Sequence, residues 1–219
     1  MEKFYDAADA AIRTVGRESL LAFSGLKLAS FDEVRVFRKV MEIYRTQARK
    51  AKKKYRDIGL YGYLFAMGLC GRPNKGAKAT QAARRAITPE WVEKLLEAPD
   101  PVTQYAFNAE VERKAQRLIE SLSVTNSPDR AVDTAVRYWV KQFAQYAIEV
   151  TDAAVMQAFE DAGEPGAFWV TKRDTRVCSE CRDRDGQWFS LKNFPPKPHW
   201  GCRCERKPGS KPGFQQAKA

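Results

Sequence analysis

The sequence predicts a mainly α-helical protein, a helical body of long amphipathic helices with a small β-hairpin module near its C-terminal end. Three observations carry that expectation. Apolar residues recur at three- and four-residue steps over long stretches of the first 163 residues. A hydroxyl residue stands directly before a proline at Thr88-Pro89 and Ser127-Pro128, the arrangement of a helix N-cap with proline in the first turn. Finally, the single histidine and four of the five cysteines crowd into residues 178–204, beside a strand–turn–strand pattern.

The totals set bounds. A chain of 219 residues can bury one good core, or one core with a small satellite module, and 44% hydrophobic content is ordinary for a globular protein. No run of about 18 apolar residues occurs, and the start, Met1-Glu-Lys-Phe-Tyr-Asp6, has neither a basic nor an apolar leader pattern. No membrane span and no export signal are therefore expected. The folding compartment is read as a reducing cytoplasm, where paired cysteines favour metal over disulfide. The net charge of +11 suits contact with phosphates, an acidic protein face or an anionic surface, and does not choose among them.

Residues 2–28 read as a first helix with Phe4, Ala8, Ala11, Val15 and Leu20 on one face. Ser30-Phe-Asp-Glu33 is a capping box that opens a long second helix. Its apolar stripe is predicted as Val34, Phe37, Met41, Tyr44, Ala48, Ala51 and Tyr55. Over residues 45–56 the other face carries Arg45, Arg49, Lys50, Lys52, Lys53, Lys54 and Arg56, with no acid among them. Such a run repels itself unless water or an acidic neighbour answers it, so it is either a solvated face or an electrostatic contact surface. A contact of this kind grips a phosphate backbone or an acidic protein and reads no base sequence.

The apolar stretch Leu60-Tyr-Gly-Tyr-Leu-Phe-Ala-Met-Gly-Leu69 is too short to cross a bilayer and reads as core, or as a surface kept for a partner. A loop follows over residues 71–76, then a basic run to Arg85 that is a short helix or a mobile linker. Asn74-Lys75-Gly76 lacks the glycine spacing and the hydroxyl of a phosphate loop. Thr88-Pro89 starts a short helix through Glu97, which Pro99-Asp-Pro101 breaks, and a further helix is expected over about residues 102–122. Ser127-Pro128 opens the strongest helix in the chain, with Val132, Val136, Trp139, Phe143, Ala147, Val150, Ala154 and Ala158 as its stripe and Gly163 as its end. Cys70 stands apart and reads as a small buried hydrophobe.

In the C-terminal module, Phe168-Trp-Val-Thr171 reads as a strand, Arg184-Asp-Gly186 as a turn and Gln187-Trp-Phe189 as the return strand. Pro195, Pro196 and Pro198 hold the next stretch extended and carry His199 back toward the first cysteine pair. Cys178-Ser-Glu-Cys181 and Cys202-Arg-Cys204 each offer two soft ligands from one turn, and closing the loop between them completes a tetrahedron. A structural zinc ion is therefore the expected cofactor, supplying part of the folding energy that so small an apolar content cannot. Cys178, Cys181 and Cys202 belong to every ligand set. The fourth position goes to Cys204, giving the usual all-thiolate structural site, or to His199, which makes a second i, i+3 chelate with Cys202.

No enzyme is expected. Metal-dependent hydrolysis wants an open coordination position and a general base, often a second histidine, and the chain has a single histidine. Asp174, Asp183 and Asp185 read as turn-forming and loop-anchoring residues.

The pattern Trp169-x-Thr171-x2-Asp174-x-Arg176-x-Cys178-x2-Cys181-x4-Gly186, followed by Pro196-x-Pro198-His199-x2-Cys202-Arg203-Cys204 and Pro208, resembles the C-terminal signature of the phage Mu F-like minor head proteins, also called phage head morphogenesis proteins. The likeness extends upstream through Glu110-Val-Glu-Arg-Lys114, Arg137-Tyr-Trp139 and Gln145-Tyr146, about half the chain. The chain departs from the family in having Ala147-Ile-Glu-Val-Thr151 where relatives often carry an Ala-Arg-Thr-Glu-like element. The resemblance implies a minor capsid protein at the portal vertex inside the phage head, present in few copies and assisting head assembly and genome packaging, retention or ejection. The implied partners are the portal protein, the major capsid or scaffold protein, and packaged double-stranded DNA held non-specifically, with host cytoplasm as the site of assembly. The division that follows is a basic helical region over 1–99, the helical part of the Mu F-like domain over 100–166, a zinc module over 167–208 and a disordered tail over 209–219. From the residues alone, the alternative is a cytoplasmic zinc protein that binds nucleic acid and has no place in the virion.

Overall fold

Proline, glycine and capping side chains partition the chain into helices of very unequal length. The computed structural model describes residues 2–24 and 33–211. Among them the helices are α1 (Glu2–Ser24), α2 (Glu33–Leu69), α3 (Gly76–Ala86), α4 (Pro89–Glu97), α5 (Phe107–Val124), α6 (Pro128–Ala162) and the short α7 (Ser179–Arg184). The strands are β1 (Gly166–Val170), β2 (Trp188–Ser190) and β3 (Glu205–Pro208). The protein is thus mainly helical with one small sheet near the C-terminal end. None of the described helices is long and apolar enough to cross a membrane. The capping residues Ser30, Phe31 and Asp32 and the tail beyond Lys211 lie outside the described residues, as do the side chains of Phe4 and Ala8.

The chain divides into two compact units that alternate in sequence: Met1–Ile58 with Pro89–Val150, and Gly59–Thr88 with Thr151–Ala219. The first has an aromatic core. Tyr44 and Trp139 meet edge-on with centroids 5.6 Å apart, Tyr55 stacks on Phe143 at 4.7 Å, and Phe107 meets Tyr146 edge-on at 5.1 Å. All six rings are buried, and the Tyr55 hydroxyl donates to the Phe143 carbonyl at 3.3 Å, so its polar tip is not left without a partner.

The stripe read on α6 is buried at every position, from Val132 through Ala158. Two other stripes need correction. On α1, Val15, Ser19 and Phe23 are buried while Leu20 is exposed, since residues 15, 19 and 23 share a helical face and residue 20 turns away from it. On α2, Val34 and Phe37 are exposed, and the buried line runs Val36, Val40, Ile43, Tyr44, Gln47, Ala51, Tyr55 and Ile58. The stretch 60–69 is the last part of this same helix, with Tyr63 and Ala66 buried.

The fifth helix starts at Phe107, later than the spacing predicts. Asp100 is the reason. Its carboxylate accepts the backbone N–H groups of Val102 and Thr103, which commits the chain to a turn, and Gln104 takes a left-handed φ of 63°. In the second unit, the Tyr63 hydroxyl donates to Asp161 at 2.6 Å, and Arg72 donates to the Ala162 carbonyl at 3.0 Å, occupying an end of α6 that has no intrahelical donor left. Gly163 then adopts φ +80° and stops the helix.

The sheet has the order β2-β1-β3, with β1 antiparallel to both neighbours. The expected hairpin is the β1–β2 pair, in which Ala167 faces Phe189. The third strand closes the other edge of β1, with Trp169 opposite Arg206 and Val170 opposite Glu205. Gly166 permits this packing: a Cβ there would lie 2.3 Å from the Trp188 ring and 2.4 Å from the Phe189 carbonyl. Within the stretch read as tail, Gly209 is tied down, its N–H donating to the Gly166 carbonyl at 3.2 Å and its carbonyl accepting the Trp188 indole N–H at 2.7 Å.

Candidate metal centre

A polar frame comes first, because the module has little apolar mass. After β1 the chain must turn, and Asp185 holds the turn by accepting the Thr171 N–H at 2.9 Å and the Arg173 guanidinium at 3.0 Å. Arg173 there adopts φ +53°. Asp174 accepts the Arg176 N–H at 3.0 Å and two contacts from Arg203 at 2.7 Å, tying this loop to the chain between Cys202 and Cys204. The same donors, Arg203 first for Asp174 and the Thr171 N–H first for Asp185, hold both carboxyls below the usual carboxylate range. These are the loop-anchoring roles expected of two of the three acids. Asp183 is exposed, and its carbonyl accepts from the Gln187 side chain at 2.7 Å.

Cys178 is the N-cap of α7, and its sulfur accepts the Cys181 N–H at 3.4 Å. The first cysteine pair is therefore one turn of helix entry, which brings two side chains to the same side. The proline stretch returns the chain past α7, where Arg184 donates to the Pro196 carbonyl at 3.1 Å. A left-handed Gly201 at φ +66° makes the turn between His199 and Cys202. Strand β3 begins directly after Cys204 and fixes that residue beside β1.

The donor atoms fall into two overlapping trios, Cys178–Cys181–His199 and Cys181–Cys202–Cys204, each with its ligand atoms within 4.8 Å of one another. Cys181 is the hinge of both. All five candidate ligands are thus brought together as the sequence spacing predicts. The Cys181 and Cys202 sulfurs stand 3.6 Å apart. A disulfide would need about 2.05 Å. Two thiolates at about 2.3 Å from one tetrahedral metal sit about 3.8 Å apart. All five cysteines are free. Cys181, Cys202 and Cys204 are buried, and burial is the leading reason the Cys181 and Cys204 thiols are pushed up. At Cys178 the desolvation that raises the thiol is outweighed by hydrogen bonds from the Cys181 N–H, the Cys181 thiol and His199, and the net shift is downward.

The ring of His199 has its own support. Its Nδ1 lies 2.9 Å from the Trp200 carbonyl, which can only accept, so Nδ1 carries a proton and Nε2 is the nitrogen left for the Cys178 sulfur. That bond, foremost, raises the imidazole above its ordinary value. A carbonyl-oriented histidine is the usual form of one that serves a metal.

Around the donors, Trp169 stacks on Phe194 at 5.8 Å, Phe189 meets Phe194 edge-on at 5.5 Å, and Val177 packs alongside. Arg184 lies over the Trp169 ring at 5.1 Å and Arg206 over Phe194 at 5.0 Å. The module rests on α6 through a buried charge cluster in which Asp152 faces Lys197 at 3.3 Å and Arg206 at 3.1 Å. Sequence reading missed this cluster. An aspartate at 152, inside the apolar run of α6, was the available signal. A set of buried soft donors, close but unbonded and ringed by cations, fits a metal ion held by cysteine thiolates.

The basic residues of α2 belong to the other unit. Arg45, Arg49, Lys50 and Lys53 are exposed, while Lys52, Lys54 and Arg56 are half-buried. The acids missing from the local sequence arrive from other helices: Glu18 of α1 meets Lys50 at 3.1 Å and Glu93 of α4 meets Lys52 at 2.5 Å. Cys70 is half-buried, and burial first, with Glu164 second, pushes its thiol up to about 11, as suits an unreactive side chain. No protein-family pattern, no curated protein and no solved structure matches this chain.

Proposed function

We propose that this protein is a phage minor capsid protein of the Mu F-like head morphogenesis type, held at the portal vertex inside the head, where it assists assembly and genome packaging, retention or ejection. The observation that carries the reading is the convergence of the signature residues. Cys178, Cys181, His199, Cys202 and Cys204 form one cluster, and Asp174 of the signature grips Arg203 within the Cys-Arg-Cys element. Residues dispersed over 31 positions of sequence thus act as one module, and such a module is what the resemblance requires.

In this reading the metal is zinc, bound by the thiolates of Cys178, Cys181, Cys202 and Cys204, with His199 supporting Cys178. A closed four-thiolate shell supplies folding energy and leaves no position for substrate, so the role is structural and not enzymatic. The helical unit supplies the contact with the portal protein. The exposed cations of α2 add a salt-sensitive attraction to acidic protein or to packaged DNA.

Co-expression with the portal protein of the same phage genome, followed by sizing and mass measurement, tests this. The expected product is a portal ring carrying the chain in fixed stoichiometry. A second reading, a cytoplasmic zinc protein that binds nucleic acid, draws on the exposed Arg45, Arg49 and Lys53. Two separate peaks, with DNA travelling beside the free chain, would replace the first reading by the second.

A further inference from the structure

The misread stripe of α2 leaves an apolar line in the open. Phe37 is 43% exposed, and with Met41 and Ala48 it forms one side of an open cavity of about 660 Å³, closed on the other side by Val111 and Asn108 of α5. Arg38, Arg45, Arg49 and Lys52 rim this groove. Two acids line it as well, Glu42, which Lys39 engages at 3.4 Å, and Glu112. With Lys52 held by Glu93, the cations left facing the groove are Arg38, Arg45 and Arg49, the last also donating to the Thr46 hydroxyl. The result is a hydrophobic floor with arginines along its α2 wall and Asn108 and Glu112 on its α5 wall, laid along about three turns of one helix.

We infer that the groove between α2 and α5 is the docking site for an acidic amphipathic helix of a partner protein. Arg38, Arg45 and Arg49 on the α2 side select a negative ligand, and the floor selects among negative ligands. A DNA backbone gains nothing from covering Phe37 and Met41, since its outward face is phosphate and sugar. An amphipathic helix fits both features, placing apolar side chains at i, i+3, i+4 and i+7 on the floor and carboxylates beside the arginines. A groove built along a helix also matches the length of a helical ligand, about 1.5 Å per residue on both sides. The inference deepens the portal-vertex reading by giving the partner contact a location and a chemistry, and it rests on that reading only for which protein supplies the helix.

The test uses the full-length, metal-loaded chain and a fluorescent peptide of about 18 residues in which leucine and glutamate are arranged to form one apolar stripe on a helix. A scrambled peptide of identical composition and a DNA duplex of similar net charge are the comparisons, all followed by fluorescence anisotropy. The striped peptide is expected to bind about tenfold tighter than its scramble. Phe37→Gln and Arg45→Glu are each expected to weaken it about tenfold, with the circular dichroism spectrum unchanged because both residues are exposed. Equal binding of the two peptides overturns the inference, as does indifference to both substitutions. Tighter binding of the duplex, lost in Arg45→Glu, also overturns it and makes the groove a phosphate site. If the portal complex forms while both substitutions leave the peptide unaffected, this inference fails and the proposed function stands. If the peptide binds as expected but no portal complex forms, the groove stands and the portal reading fails.

Discussion

At Asp152 one carboxylate answers two cations, Lys197 and Arg206, in a site where Asp152 and Lys197 are 8% and 7% exposed. Asp152→Ala would leave both cations buried without a counter-charge, and the expected loss is about 3 kcal/mol, read from urea unfolding. Replacing all three residues with apolar ones of similar volume is expected to cost much less, because the pairing and the desolvation it offsets are removed together. The ligand question also belongs to single residues. Cys204→Ser removes a buried donor and is expected to lower metal affinity more than 100-fold. His199→Gln removes a group supporting Cys178, and a loss of about tenfold is expected. Competition with a colorimetric chelator ranks the two, and the reverse order would put His199 in the first coordination shell.

The elements differ in how openly their sequences declare them. Helix α6 was legible because one stripe dominates: every apolar residue read on it is buried, and Trp139 touches both Tyr44 and Phe107. Trp139→Ala is expected to cost about 3–5 kcal/mol, whereas Val124→Ala, at a position 83% exposed, is expected to stay within about 0.5 kcal/mol; thermal unfolding of the two variants measures both. Helix α2 carries two apolar lines, one through Val34 and Phe37 and one through Val36 and Val40, which merge from Tyr44 onward. Periodicity cannot choose between lines of the same period, and only the packing partners decide. Strand β3, Glu-Arg-Lys-Pro, has no apolar side chain before its terminal proline and no alternation, so nothing in its composition announces a strand. Its place is set by backbone pairing with β1 and by the ion pair between Lys172 and Glu205. The late start of α5 hid in Asp100, whose side chain offers the backbone a turn in place of a helix. The grouping of the four cysteines with His199 was legible from their spacing, though not which of Cys204 and His199 completes a ligand set, and the acids and arginines that frame the group meet across long separations.

For the molecule as a whole, cohesion is of two kinds. The unit holding Trp139 is kept together by buried aromatic side chains, and the unit holding the cysteines adds to its buried apolar residues a group of donors that could hold a metal. Chelation with a strong zinc ligand at neutral pH is therefore expected to act unevenly. Amide protection over residues 166–208 should fall to that of an exposed chain, while protection around Tyr55 and Phe143 persists and most of the helical circular dichroism remains. Hydrogen exchange followed by mass spectrometry gives the comparison, and a uniform loss of protection along the chain would show that the metal is no local staple.

Strand β1 lies between a neighbour that follows it within about twenty residues and one, β3, that arrives only at residue 205. The candidate donors obey the same schedule, Cys178 and Cys181 first and His199, Cys202 and Cys204 last. A chain interrupted anywhere before Cys202 would show an unpaired edge of β1 and a half-built thiol pair, both attractive to proteases and to other nascent chains. Were the site to take up a metal, that capture would act as a proof of completeness: a polypeptide that reaches Cys204 brings in the last donors, and the strand that follows directly hides that edge.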